Sequence, residues 1–177
     1  ALATGCNDMY DNHRLKPLEE SKFYADRSSA RPLLEGTVAR GEARTEELLY
    51  TGRVGGKLAD LLPMPVTREL LARGEDRFNT FCSPCHGRLG DGNGLIVQRG
   101  FPRPNSFHAD SVRLKPAGHY FDVITNGFGR MYPYAPSIPV NDRWAIVAYV
   151  RALQLSRRIP YEELSGEEQK RLSGNRR

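Results

Sequence analysis

The stretch Cys82-Ser83-Pro84-Cys85-His86 constrains this chain more than any other. Two thiols three positions apart, followed at once by an imidazole, form the pattern to which a c-type haem is covalently attached. Each sulfur adds across one vinyl group of the porphyrin, and the adjacent His86 then places a ring nitrogen on the iron as proximal ligand. Cys-x-x-Cys alone would equally suit a thioredoxin-like redox pair or half of a zinc site. A redox pair needs a surrounding βαβ pattern, and a zinc site needs a second ligand pair at similar spacing. The chain carries neither, and its third cysteine, Cys6, lies far upstream. The motif predicts one covalent haem c on Cys82 and Cys85.

The 177 residues leave room for one compact domain and a long extension. A net charge of +5 favours acidic partners or anionic head groups. Lys and Arg are interspersed with Asp and Glu and form no long basic run, which argues against nucleic acid as a partner. No stretch reaches the ~18 to 20 consecutive apolar residues of a membrane span.

Residues 1–65 read as the extension. From Asn7 to about Pro65 no helical or strand period is sustained, and Arg31-Pro32, Gly36, Gly41, Gly52, Gly55-Gly56 and Pro63-Met64-Pro65 punctuate the chain. Only Glu42 to Tyr50 has the makings of a short helix. Tyr10, Phe23, Tyr24, Leu33, Leu34 and Val38 are scattered singly, which suits anchoring points on a partner surface; a mobile tether is the alternative. Ala1-Leu2-Ala3-Thr4-Gly5-Cys6 resembles the end of a bacterial lipoprotein signal, which would make Cys6 an acylated anchor; an ordinary cysteine is the plainer reading. Haem attachment takes place outside the bacterial cytoplasm, where an unpaired exposed thiol is a liability, and this favours lipidation. The expected location is the periplasm or the outer face of the cytoplasmic membrane.

Residues 66–156 read as the haem domain. Thr67 is a candidate N-cap, and Leu70, Leu71, Gly74, Phe78 and Phe81 recur at helical spacing up to Cys82. Gly74 inside a helix costs roughly 1 kcal/mol relative to Ala, so a close helix crossing is expected there. Gly87 to Gly94 is too glycine-rich for regular structure, and a phosphate cradle is discounted because no Lys-Ser or Lys-Thr follows and no strand precedes it. A loop folded against the haem fits better. In Phe101-Pro102-Arg103-Pro104 the carbonyl of Pro102 or Pro104 is expected to accept the Nδ1 proton of His86.

Lys115 to Asn126 predicts a helix with His119, Tyr120, Val123 and Ile124 on its apolar side. Met131 follows in a Gly-rich, Pro-bounded loop with no helix to make it a core residue, which suits a distal thioether ligand. Its rivals are Met9, Met64, His13, His108 and His119. Asn141-Asp142 is expected to cap a strongly apolar helix from Arg143 to about Leu155, carrying Trp144, Ile146, Val147, Tyr149, Val150 and Leu153. Phe78, Phe81, Phe101, Trp144 and Tyr149 are the expected aromatic shell of the haem, with Arg99, Arg113 and Tyr120 as candidate propionate partners. Residues 157–177 form a charged tail with a capping box at Ser165 and Glu168.

The Gly74 and Phe78 helix leading into Cys82-Ser83-Pro84-Cys85-His86, the proline loop, the Met131 loop and the aromatic last helix together resemble a class I cytochrome c, over roughly Val66 to Leu155. That resemblance implies an all-α domain in which the first and last helices cross, the glycine meeting an aromatic such as Tyr149. Val66 to Leu71, Gly90 to Gly94, Val97 to Phe101, Thr125 to Gly129 and Asp142 to Gln154, with Tyr10 and Ser29-Ala30-Arg31-Pro32 upstream, are similar to the monohaem cytochrome c subunit of bacterial alternative complex III. That complex is a membrane-bound quinol:electron-acceptor oxidoreductase. The resemblance implies a subunit that takes electrons from a multihaem cytochrome c and passes them to a soluble carrier or terminal oxidase, with no catalytic site of its own.

With His86 and Met131 both bound, iron has six ligands and no open position for substrate, so outer-sphere electron transfer is the expected function. The alternatives are a free-standing or lipid-anchored periplasmic carrier and a haem-based sensor, which would need five-coordinate or readily exchanged iron.

Overall fold

The computed structural model describes residues 14–174 except 33, 39, 41 and 42. Cys6, Met9, Tyr10, His13 and Leu33 lie outside the described residues, as does the terminal Asn175-Arg176-Arg177. The chain divides into two compact units, Ala1–Ala43 and Arg44–Arg177.

The described part of the first unit has no helix and is built from turns. Ser21 N donates to Arg27 O at 2.9 Å and Ser29 Oγ to Lys16 O at 2.6 Å, around an isolated antiparallel bridge between Glu20 and Ser28. Its charges pair locally: Arg27 with Glu20, and Arg31 with Asp26 while its guanidinium lies 4.1 Å over the Tyr24 ring. Leu15, Leu18, Phe23, Leu34 and Val38 are exposed.

The second unit is helical. In chain order it contains α1 (Glu47–Thr51), a two-residue-per-strand hairpin of β1 (Arg53–Val54) and β2 (Lys57–Leu58), α2 (Arg68–Phe81), α3 (Ser83–His86), α4 (Leu95–Gln98), α5 (Asp110–Arg113), α6 (Ala117–Asn126), α7 (Val140–Ser156), a 3₁₀ turn at Tyr161–Glu163 and α8 (Gly166–Gly174). The all-α expectation holds.

The core is the crossing of α2 with α7. A Cβ on Gly74 would collide with the Ala145 carbonyl oxygen and lie 2.9 Å from Tyr149 Cβ, so only glycine lets the two backbones approach. The obstruction is chiefly the Ala145 backbone; Tyr149 itself packs on Phe78, ring centroids 5.3 Å apart. Thr67 caps α2 as expected, its hydroxyl accepting from Leu70 N at 3.2 Å. Helix α7 starts earlier than expected. Pro139 precedes it with extended ψ, and Asn141 and Asp142 fall in the first turn, where Asp142 takes a bidentate pair from Arg73 at 2.7 and 2.8 Å. Pro139 has no side-chain acceptor to cap the helix, and the Asp142 carboxylate clamps α2 instead.

Residues 44–65 are not part of an unstructured extension, and the second unit begins upstream of the expected boundary at Val66. Leu49 O accepts the Trp144 indole N–H at 2.7 Å, Ala59 O accepts from Gly118 N at 2.8 Å, and Asp60 Oδ1 accepts from Ala117 N at 2.9 Å. The segment thereby satisfies backbone donors at the start of α6, which Pro116 leaves without a local cap. A Cβ on Gly118 would strike Gly52 O, which is why the segment lies so close. The capping box at Ser165 forms: Ser165 N donates to Glu168 Oε2 at 2.9 Å.

Candidate haem site

Helix α2 ends where α3 begins, with Cys82 at the junction. Cys82 N donates to Phe78 O at 2.9 Å and its own carbonyl accepts from His86 N at 2.8 Å. One continuous turn therefore carries Cys82, Cys85 and His86. The glycine loop folds back onto it, Gly92 N donating to His86 O at 2.8 Å and Gly94 N to Cys85 O at 3.1 Å. Those amides are consumed internally, so the loop is no phosphate cradle.

Above this turn lies a cavity of about 480 Å³, within the range of cofactor pockets. Phe78, Phe81, Cys82, Cys85 and His86 line one side, residues 101–105 with Phe107 and Val112 a second, and His119, Tyr120, Val123 and Ile124 of α6 with Ile146 and Val150 of α7 a third. Residues 128–132 and Tyr134 close over it. That lid is pinned by reciprocal backbone bonds between Phe128 and Met131, 3.0 and 2.9 Å, and by Tyr134 N donating to Ile124 O at 2.9 Å. Met131 is thus brought from a distant loop to the cavity that holds the two thiols and the imidazole.

The electrostatics fit neutral donors. Burial pushes the His86 imidazole down to about 4, so it is uncharged near neutral pH with a lone pair free for a metal. Burial, and secondarily Cys85, pushes the Cys82 thiol up to about 12. A thioredoxin-like nucleophile needs the opposite shift. Among the described residues no group of three or more His, Cys, Asp or Glu side chains could hold a metal ion. No Asp or Glu lines the cavity.

The expected site residues fare differently. Phe101, Pro102, Pro104 and Tyr120 line the cavity. The Tyr120 hydroxyl is spoken for, donating to Val112 O and accepting from Gln154 Nε2, both at 2.7 Å. Trp144 does not line it: the indole is fully buried on another face of α7, stacked on Phe121 at 4.5 Å and 18°. Arg99 is the residue that ends α4, and Arg113 pairs with Asp110; neither lines the cavity, whereas Arg103 and Arg130 do. Among the rival ligands His119 lines the cavity, while Met64 and His108 do not, the latter holding Leu89 O at 2.7 Å through Nε2.

The expected hydrogen bond from His86 to a proline carbonyl is not formed. His86 Nδ1 is buried without a partner. What the ring has is Phe107, stacked on it at 4.6 Å and 14°. Phe107 escaped the sequence reading, although it is the only aromatic between Phe101 and Tyr120.

A buried imidazole, two thiols and a thioether around one apolar chamber fit haem c, a soft N/S donor set beside an aromatic cradle.

Residues 69–150 match the family model described as Cytochrome C oxidase, cbb3-type, subunit III. No curated protein matches the chain closely. Among solved structures, a chain of the Kuenenia stuttgartiensis reducing HAO-like protein complex is similar, with 22% identity over 60% of this chain and 54% of that one and a TM-score of 0.46. This chain therefore spans about half the length of that neighbour. Taken with the helical fold and the site, the family match makes residues 69–150 a cytochrome c domain, a haem c-binding unit of electron transfer.

Proposed function

We propose that the chain carries single electrons through one haem c, to which Cys82 and Cys85 would bond and whose iron His86 and Met131 would hold. The haem supplies a one-electron couple between ferric and ferrous iron. The observation that carries this reading is the convergence of those four side chains on one apolar cavity. The protein's part is to hold neutral donors, exclude water with Phe78, Phe81, Phe107 and Ile146, and leave an edge for transfer. Phe128 and Tyr132 at that cavity are exposed by 72% and 82%. Arg103 and Arg130 are the cationic groups available to the haem carboxylates, in place of Arg99 and Arg113.

The assembly we favour is a membrane-bound respiratory quinol oxidoreductase, in which this chain takes electrons from a multihaem cytochrome c and delivers them to a soluble carrier or terminal oxidase. Support comes from the sequence resemblance and from the first unit, where charges pair internally while large apolar side chains face outward. That arrangement suits a segment laid on another subunit. Among the described residues no helix is long and apolar enough to cross a membrane, so attachment would rest on such contacts and on acylation of Cys6. Purification from solubilised membranes with haem staining tests this. Recovery within a multihaem complex, with an acylated N-terminal peptide, is expected; a chain found only in the aqueous fraction would leave a free periplasmic carrier.

A further inference from the structure

The site holds a second feature: the imidazole of His86 has an aromatic ring stacked on it and no hydrogen bond to a carbonyl at Nδ1. Its Nδ1 has no acceptor, and its face is covered by Phe107. Phe107 is itself immobilised from three directions. Its backbone N–H donates to Gly90 O at 2.9 Å, its carbonyl accepts from Gln154 Nε2 at 2.9 Å, and its ring is flanked by Phe78 at 6.1 Å and Tyr120 at 6.3 Å.

Gln154 is the organising residue. It is 5% exposed, lies on α7 remote in sequence from the haem-attachment motif, and uses every polar atom it has. Its Nε2 donates to Phe107 O and, at 2.7 Å, to the Tyr120 hydroxyl; its Oε1 accepts from Arg151 Nη1 at 3.1 Å. Arg151 in turn donates to Arg113 O at 3.0 Å and Lys115 O at 2.7 Å. Two side chains one turn apart on α7 thus gather the loop from 107 to 115, whose first ring presses on His86.

We infer that Gln154 and Phe107 are positioning residues that set the plane of the His86 imidazole. The inference rests on the proposed ligation by His86. An imidazole without a hydrogen bond at Nδ1 can turn about its bond to a metal unless a flat neighbour resists, and a ring stacked nearly parallel resists most.

The test uses the full mature chain in the ferric state, reading the haem-methyl NMR shifts and low-spin g values, both of which follow the imidazole plane. Phe107→Leu removes the flat face at similar volume. Gln154→Glu keeps the acceptor for Arg151 and removes both donors. Trp144→Phe is the control: it costs the bond to Leu49 O and lowers Tm without touching the clamp. Redistribution of the methyl shifts and a changed g spread in Phe107→Leu and Gln154→Glu, with Trp144→Phe matching wild type, is expected. Unchanged spectra in both clamp variants, or equal change in the control, would overturn the clamp; should Phe107→Leu not mature, Gln154→Glu alone decides. A wild-type chain lacking any low-spin histidine-ligated spectrum would instead remove the ligation on which the inference rests.

Discussion

In the proposed ligation, the Met131 thioether is what separates an electron carrier from a ligand-binding haem. The side chain lines the cavity from a loop fixed by backbone bonds on both sides, so truncating it leaves the loop standing. Met131→Ala should therefore retain covalent haem, bind carbon monoxide when reduced, and show a lower reduction potential, because the thioether favours ferrous iron. A variant that keeps the wild-type spectrum and excludes carbon monoxide would hand the sixth position to His119, the other cavity-lining rival. That Cys82, Cys85, His86 and Met131 line one cavity was foreseeable, because an attachment motif is written in contiguous residues and a methionine between glycines and prolines lies outside any helical period. Trp144 misled for a physical reason: an apolar helix buried nearly all round gives no periodicity to say which face meets the cofactor. Arg103 was equally hidden, since no local pattern tells which of several arginines the loop turns toward the cavity.

Among the elements, the crossing of α2 and α7 has no slack at Gly74. Gly74→Ala would push a methyl into the Ala145 carbonyl, and overpacking of this kind costs about 1–3 kcal/mol. The variant should lower Tm measurably or fail to mature; a Tm equal to wild type would mean the helices part freely. Helices α2, α6 and α7 were foreseeable from apolar spacing and from Thr67, and the short helix expected within Glu42 to Tyr50 overlaps α1, but the packing of residues 44–65 onto the domain was not. Its polar attachments are backbone carbonyls at Leu49 and Ala59 and a carboxylate at Asp60, and its apolar ones, Leu48, Leu49, Leu62 and Met64, are too scattered to make a hydrophobic period. Asp60→Ala removes the acceptor for Ala117 N and for Arg151 Nη2. By analogy with losing a helix cap, about 0.5–2 kcal/mol should go, and amide exchange should quicken at the start of α6 first. Uniform quickening across the domain would place the weak point elsewhere.

For the whole molecule, the two units differ in character: the second contains the cavity and the first displays apolar side chains. Replacing Leu18, Phe23 and Leu34 together by Ser should leave the haem spectrum and thermal stability of the cytochrome domain unchanged while releasing the chain from the proposed complex in pulldowns. Retention at wild-type yield would remove those residues from the interface. Beneath all of this lies the haem itself, and its attachment is directly measurable. The full chain, matured in a host with a c-type haem attachment system and extracted with acidified acetone, should keep one haem per polypeptide and show the ferrous c-type absorption bands. A colourless protein, or pigment that passes wholly into the solvent, would contradict the account at its foundation.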